Sequence, residues 1–135
     1  MIKMNFILLL LSAWFACDES PAQLQDFKES IKSGAVVYED FCMNCHMPKG
    51  EGEPGVYPPL AAADYLMDKR QESIRAVKYG LSGEIVVNGK IYNNSMVSLG
   101  LTDDEVADVM NYILNSWGND DGKMVTASEV SKIEP

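Results

Sequence analysis

The chain has 135 residues, enough for one ordinary domain and too few for two. Its hydrophobic content of 47% and charged content of 23% are ordinary for a globular protein, and no internal repeat or long low-complexity tract interrupts it. A formal charge of −9 argues against nucleic acid as a natural partner.

Residues 1–17 read as an export signal. Lys3 gives a weakly positive start, 6–11 is unbroken apolar, and 13–16 extends the core after Ser12. The stretch is shorter than the ~20 apolar residues that a membrane-spanning helix needs. It ends Trp14-Phe15-Ala16-Cys17, and a small residue before a cysteine at the end of a signal core resembles a bacterial lipobox. In that family the cysteine is lipidated and becomes the first residue of the mature protein. Cys17 is therefore the candidate lipidation site, with plain secretion and cleavage near Ala16 or Ala22 as the other reading. Residues 18–29 are polar and read as a linker that lets a folded domain stand off the membrane.

Helical periodicity is expected from about Ser30. Ile31, Gly34, Ala35, Tyr38, Cys42 and Cys45 fall on one stripe. A glycine inside a helix is unfavourable by about 1 kcal/mol relative to alanine, so Gly34 makes sense if another helix crosses closely there. The stripe runs into Cys42-Met43-Asn44-Cys45-His46, the C-x-x-C-H pattern of c-type haem attachment. Each thiol can add to one of the two vinyl groups of a haem. Residues three apart share a helix face, so both sulfurs can meet one porphyrin edge. His46, the only histidine in the chain, is then tethered beside the iron. A thioredoxin-type dithiol would want a βαβ setting, and a structural zinc site would want four ligands. With two cysteines on haem and one on lipid, none of the three is left as a free thiol in an oxidising compartment.

The spacing Gly34-x-x-x-Tyr38-x-x-x-Cys42, leading into this motif, resembles class I cytochromes c over roughly residues 30–118. The resemblance implies a mainly α, cytochrome c-like helical domain around one covalently attached haem c. Residues 47–55, dense in Gly and Pro, read as a loop, and 56–60 return an apolar, rigid segment. In the resembled family a proline carbonyl here accepts the hydrogen bond from the histidine's other ring nitrogen. That role falls to Pro58 or Pro59. Residues 64–70 read as a short helix or turn, and 71–79 as a helix stopped by Gly80. Residues 85–92 place Asn88-Gly89 between two β-prone runs, the signature of a small type I′ β-hairpin, expected as a local ornament.

Met96 follows in a polar, turn-prone stretch, the one methionine in a loop well after His46 and just before the last main helix. The resemblance makes it the second axial ligand of the haem iron, though the family usually carries proline where Val97 stands. The last main helix opens with a capping box, Thr102 to Glu105, carries Val106, Val109, Met110, Ile113 and Trp117 as its apolar stripe, and is expected to end at Gly118. By resemblance it crosses the first helix, with Tyr112 or Val109 against Gly34. Residues 119–135 form a tail with a short helix from the Thr126–Glu129 capping box through Lys132.

Without residues 1–17 the chain loses only the charge of Lys3 and carries −10, yet residues 65–100 are net +2. Such asymmetry can steer a redox partner, or it can simply maintain solubility. The expected function is one-electron transfer between a donor and an acceptor redox protein, on the periplasmic side and tied to the membrane through Cys17. No catalysis is expected of the protein alone. Two alternatives remain: a haem-bearing subunit of a larger oxidase or reductase, and a catalytic or gas-sensing haem protein in which Met96 dissociates.

Overall fold

The structure, a computed structural model, describes residues 20–135; residues 1–17, expected as an export signal ending at Cys17, lie outside the described residues. Six helices and one hairpin follow in order: α1 (Pro21–Phe41), α2 (Met43–His46), α3 (Asp64–Asp68), α4 (Arg70–Tyr79), β1 (Ile85–Val87), β2 (Lys90–Tyr92), α5 (Asp103–Leu114) and α6 (Ala127–Val130).

α1 starts about nine residues earlier than its apolar stripe suggests, so residues 21–29, expected as a polar spacer, are helical. The cause is local. The Ser20 side chain accepts from the Gln23 N–H while the Gln23 side chain accepts from the Ser20 N–H, and Pro21 supplies a preset φ at the first helical position. These first turns are exposed apart from half-buried Phe27, which is why hydrophobic periodicity does not mark them.

α1 crosses α5 at Gly34. A Cβ at Gly34 would overlap the Asp108 carbonyl and sit 2.9 Å from Tyr112 Cβ, so the backbone of α5 itself demands glycine there. Tyr112 is thus part of the crossing, and the other partner is Asp108 rather than Val109. On one side of the crossing, Ser30 donates to Asp108 (2.5 Å) and accepts from the buried Asn111 (2.8 Å). On the other, Tyr38, Tyr112 and Trp117 pack ring against ring with centroids 5.0–5.4 Å apart. Ile74 of α4 and Val106, Val109 and Met110 of α5 form the fully buried centre of the core.

α5 ends at Leu114, short of Gly118. Its last carbonyls are taken by side chains and by the returning chain: Asn115 Nδ2 donates to Asn111 O, Asn119 Nδ2 to Ile113 O, and the Asp121 N–H to Leu114 O. Trp117 therefore sits in a turn at φ 54° rather than on the helix.

Residues 119–135 are packed rather than trailing. Val125, Val130 and Ile133 are buried, and both the Val125 N–H and its carbonyl are bonded to Asn111. α6 stops at Val130, before Lys132. The Glu129 carboxylate, which a full capping box would return to the helix start, is instead bound by Arg70.

The hairpin is antiparallel, in register Ile85↔Tyr92, Val86↔Ile91 and Val87↔Lys90, with Asn88 and Gly89 both at positive φ as a type I′ turn requires. Its tip is fastened to the start of α3, where Asn88 and Asp64 exchange side-chain-to-backbone bonds of 2.7 and 2.9 Å.

Candidate metal centre

α1 runs almost without interruption into the C-x-x-C-H segment. The Cys42 N–H bonds Tyr38 O, and the His46 N–H bonds Cys42 O, both at 2.9 Å, so α2 continues the helical path after a local adjustment at Cys42. Cys42 is half-buried and Cys45 exposed. Burial, and then neighbouring Cys45, pushes the Cys42 thiol up to about 11. Among the described residues no group of three or more His, Cys, Asp or Glu side chains could hold a metal ion.

The His46 ring is half-buried, and its Nδ1–H donates to the Pro58 carbonyl oxygen at 3.0 Å. Of the two candidate prolines, Pro58 is the one that meets the ring. A carbonyl oxygen only accepts, so this bond assigns the proton to Nδ1 and leaves the Nε2 lone pair free. Desolvation disfavours the charged imidazolium and lowers the His46 pKa below its usual value, outweighing the opposing influence of the Pro58 bond.

The loop before Pro58 is shaped for this contact. The Gly52 N–H returns to His46 O (3.0 Å), and the 53–57 turn closes through a Glu53–Tyr57 bridge with Glu53 N–H on Tyr57 O (2.9 Å). Tyr38 steadies the same loop by donating its buried hydroxyl to Met47 O (2.6 Å).

Cys42, Cys45, His46 and Pro58 line a cavity of about 220 Å³. Leu81, Ile85, Tyr92, Met96 and Leu99 line it too, with Phe41, Val56, Tyr57 and Val97. The donor set in one mainly apolar cleft comprises two thiols, one imidazole and one thioether, which fits a c-type haem. Pro59 is not on the lining, and Cys17 lies outside the described residues.

The hairpin is more than the ornament expected from its sequence. Ile85 and Tyr92, paired across the strands, face the cavity together, and Val86 and Ile91 point to solvent. Residues 85–87 are all apolar, and in 90–92 Lys90 shares a face with Tyr92, so no alternation in the sequence marks that inward pair. Leu81 and Asn94 also belong to the site, and nothing in their local sequence marks them.

The sequence matches the Cytochrome c family model over residues 31–117. It is 41% identical over 111 residues to cytochrome c-552 of Thermus thermophilus, covering 74% of this chain and 82% of that protein. It is 31% identical to the cytochrome c subunit of a quinone alcohol dehydrogenase from Gluconobacter oxydans strain 621H, covering 75% of this chain and 22% of that subunit. Against the gluconate 2-dehydrogenase cytochrome c subunit of Pantoea cypripedii the identity is 30%, over 88% of this chain and 28% of that one. A family match across most of the helical domain, on a chain whose C-x-x-C-H segment opens onto an apolar cleft, has one consequence: this protein belongs to the cytochrome c family, as a class I electron carrier with covalently bound haem c.

Proposed function

We propose that Cys42 and Cys45 form the two thioether bonds to haem and that His46 and Met96 are the axial ligands of its iron. The observation that carries this is that all four residues line one cleft, with Nδ1 of His46 already committed to Pro58. When bound, haem supplies the one-electron ferric/ferrous couple. The chain's own residues hold the imidazole in one tautomer and orientation, present a soft thioether that favours the reduced state, and line the cleft with apolar groups that limit water. With both axial positions filled, no site is left for a substrate, in keeping with electron transfer rather than catalysis.

We further propose that the protein is exported and tethered through a lipidated Cys17, so that it exchanges electrons with partners at the outer face of the membrane. The apolar core of residues 1–17 and the small residue before Cys17 support this. No helix among the described residues is long and apolar enough to cross a membrane. A fixed place in a larger oxidoreductase is the second reading. It is favoured by the similarity to dehydrogenase cytochrome c subunits, of which this chain spans only 22–28%.

The test is haem retention. Protein matured with haem keeps it through denaturing electrophoresis and acid–acetone extraction, Cys42→Ala/Cys45→Ala loses it, and loss from the wild type in both assays would refute thioether attachment.

A further inference from the structure

The segment that carries Met96 has little to hold it by side-chain burial. Residues 93–95, 97 and 98 are all exposed, Val97 at 70%, and only Met96 itself is half-buried. Its place in the fold comes from the backbone. The Leu81 N–H donates to Met96 O and the Met96 N–H donates to Leu81 O, each at 2.8 Å, an isolated antiparallel bridge just past the end of α4. The bridge rests on Gly80. That residue adopts φ 86°, ψ 175°, a region essentially reserved for glycine. A Cβ on it would lie 2.6 Å from Met96 O and 2.9 Å from the Ser98 nitrogen.

We propose that Gly80 and Leu81 are positioning residues for Met96, a backbone seat that holds the thioether toward His46 without a proline after the methionine. The proposal rests on the reading of Met96 as an axial ligand.

Two side-chain bonds flank the seat. Ser98 donates its hydroxyl to Lys78 O (3.0 Å), and Asn94 Nδ2 donates to Val56 O (3.0 Å), next to the turn that presents Pro58 to His46. The end of α4 is itself fixed. Lys78 Nζ reaches Asp103 Oδ1 and Val130 O, and Tyr79 donates its hydroxyl to Ile133 O, all at 2.9 Å. The C-terminal segment, outside the matched family region, therefore braces the same turn of chain that seats Met96. The path is contiguous: 130–133 to 78–79, then 80–81, then 96. Each link is a hydrogen bond or a covalent neighbour. A loosened seat lets the thioether swing away and admits an external ligand to the iron.

The experiment uses the full-length holoprotein and its Gly80→Ala, Ser98→Ala and Met96→Ala variants. It reads the far-red absorption band of thioether-ligated ferric haem, the rate of imidazole binding to the ferric protein, hydrogen exchange at the Leu81 and Met96 amides, and the urea midpoint. Ser98→Ala accelerates imidazole binding about threefold to tenfold, the range that one net hydrogen bond allows, while the urea midpoint falls by no more than the loss of that same bond. Gly80→Ala accelerates it further and weakens the band, and in both variants the two amides exchange faster. Unchanged ligand access and amide exchange in Ser98→Ala and Gly80→Ala, whatever the urea midpoint does, overturn the proposal. If Gly80→Ala fails to fold, Ser98→Ala decides alone on the same readings. Met96→Ala separates the two levels: an unaltered band and unaltered access in that variant remove Met96 as ligand and the seat with it. An opened iron in Met96→Ala beside unchanged Gly80→Ala and Ser98→Ala removes only the seat.

Discussion

Arg70 on α4 and Glu129 on α6 meet through two parallel hydrogen bonds, Nε to Oε1 at 2.8 Å and Nη2 to Oε2 at 3.0 Å. The same guanidinium donates to Asp121 Oδ2 at 2.8 Å and to the carbonyls of Lys123 and Met124. One planar group thus gathers the chain from 121 to 129 and lays it against α4. Arg70 is mostly buried and its partners partly so, which distinguishes this cluster from an ordinary surface ion pair.

Arg70→Ala leaves two carboxylates and two carbonyls without their donor. It should destabilise the protein by roughly 2–3 kcal/mol, and Arg70→Lys should recover little, since an ammonium cannot reproduce the paired geometry. Urea titration followed by circular dichroism measures both.

Acid should weaken the same cluster. The bond to Arg70, more than any other influence, holds the Glu129 carboxyl below its usual range. Because the folded value lies below the unfolded one, about 4.3, the contribution is fully present above that pH and is lost as pH falls through the folded value. Glu129→Gln removes this one source of acid sensitivity. Its stability should lie below the wild type at pH 7, and the gap should narrow below pH ~4. Urea midpoints across that interval give the result directly.

Much of this arrangement could be read from residue patterns, and the exceptions have identifiable causes. Cys42, Cys45, His46, the α5 cap at Thr102 and the Asn88-Gly89 turn each depend on neighbours within a few residues, so local sequence suffices for them. The start of α1 was missed because Ser20 and Gln23 signal a helix by capping, while the exposed turn behind them carries no apolar stripe. The packing of 119–135 was missed because its anchors, Asn111 and Arg70, lie far off in sequence. For the same reason only the three-dimensional fold distinguishes Pro58 from Pro59 and reveals the Leu81–Met96 bridge.

Gly34→Ala should be destabilising although alanine is the better helix former. The propensity gain is about 1 kcal/mol, but the new methyl overlaps the backbone of α5 and must push the two helices apart, at a loss of roughly 2–3 kcal/mol. The Ser30–Asp108 bond and the Tyr38–Tyr112 contact lie on either side of the crossing and should loosen together. A lowered urea midpoint with altered near-ultraviolet dichroism from the aromatic cluster is the expected outcome.

Cys17→Ser addresses the tether. A lipidated Cys17 is the attachment point itself, so the serine variant should appear in the soluble fraction or accumulate with its leader uncleaved. Normal processing and unchanged membrane association would point instead to ordinary secretion followed by binding to a membrane partner.

Substitution at Met96 tests the axial assignment. The residue lines the same cleft as His46, with its backbone held by Leu81. A thioether favours ferrous iron relative to imidazole, so Met96→His should stay six-coordinate and shift the reduction potential downward. Met96→Ala removes the donor without filling its place. It should bind carbon monoxide in the ferrous state more tightly than the wild type does, and lose the far-red thioether band in the ferric state. The two variants move different observables: the histidine changes the potential with access still closed, and the alanine opens access. Spectroelectrochemical titration of both beside the wild type decides the point. A potential and carbon monoxide affinity unchanged in both would mean that the sixth position belongs to another group or is open.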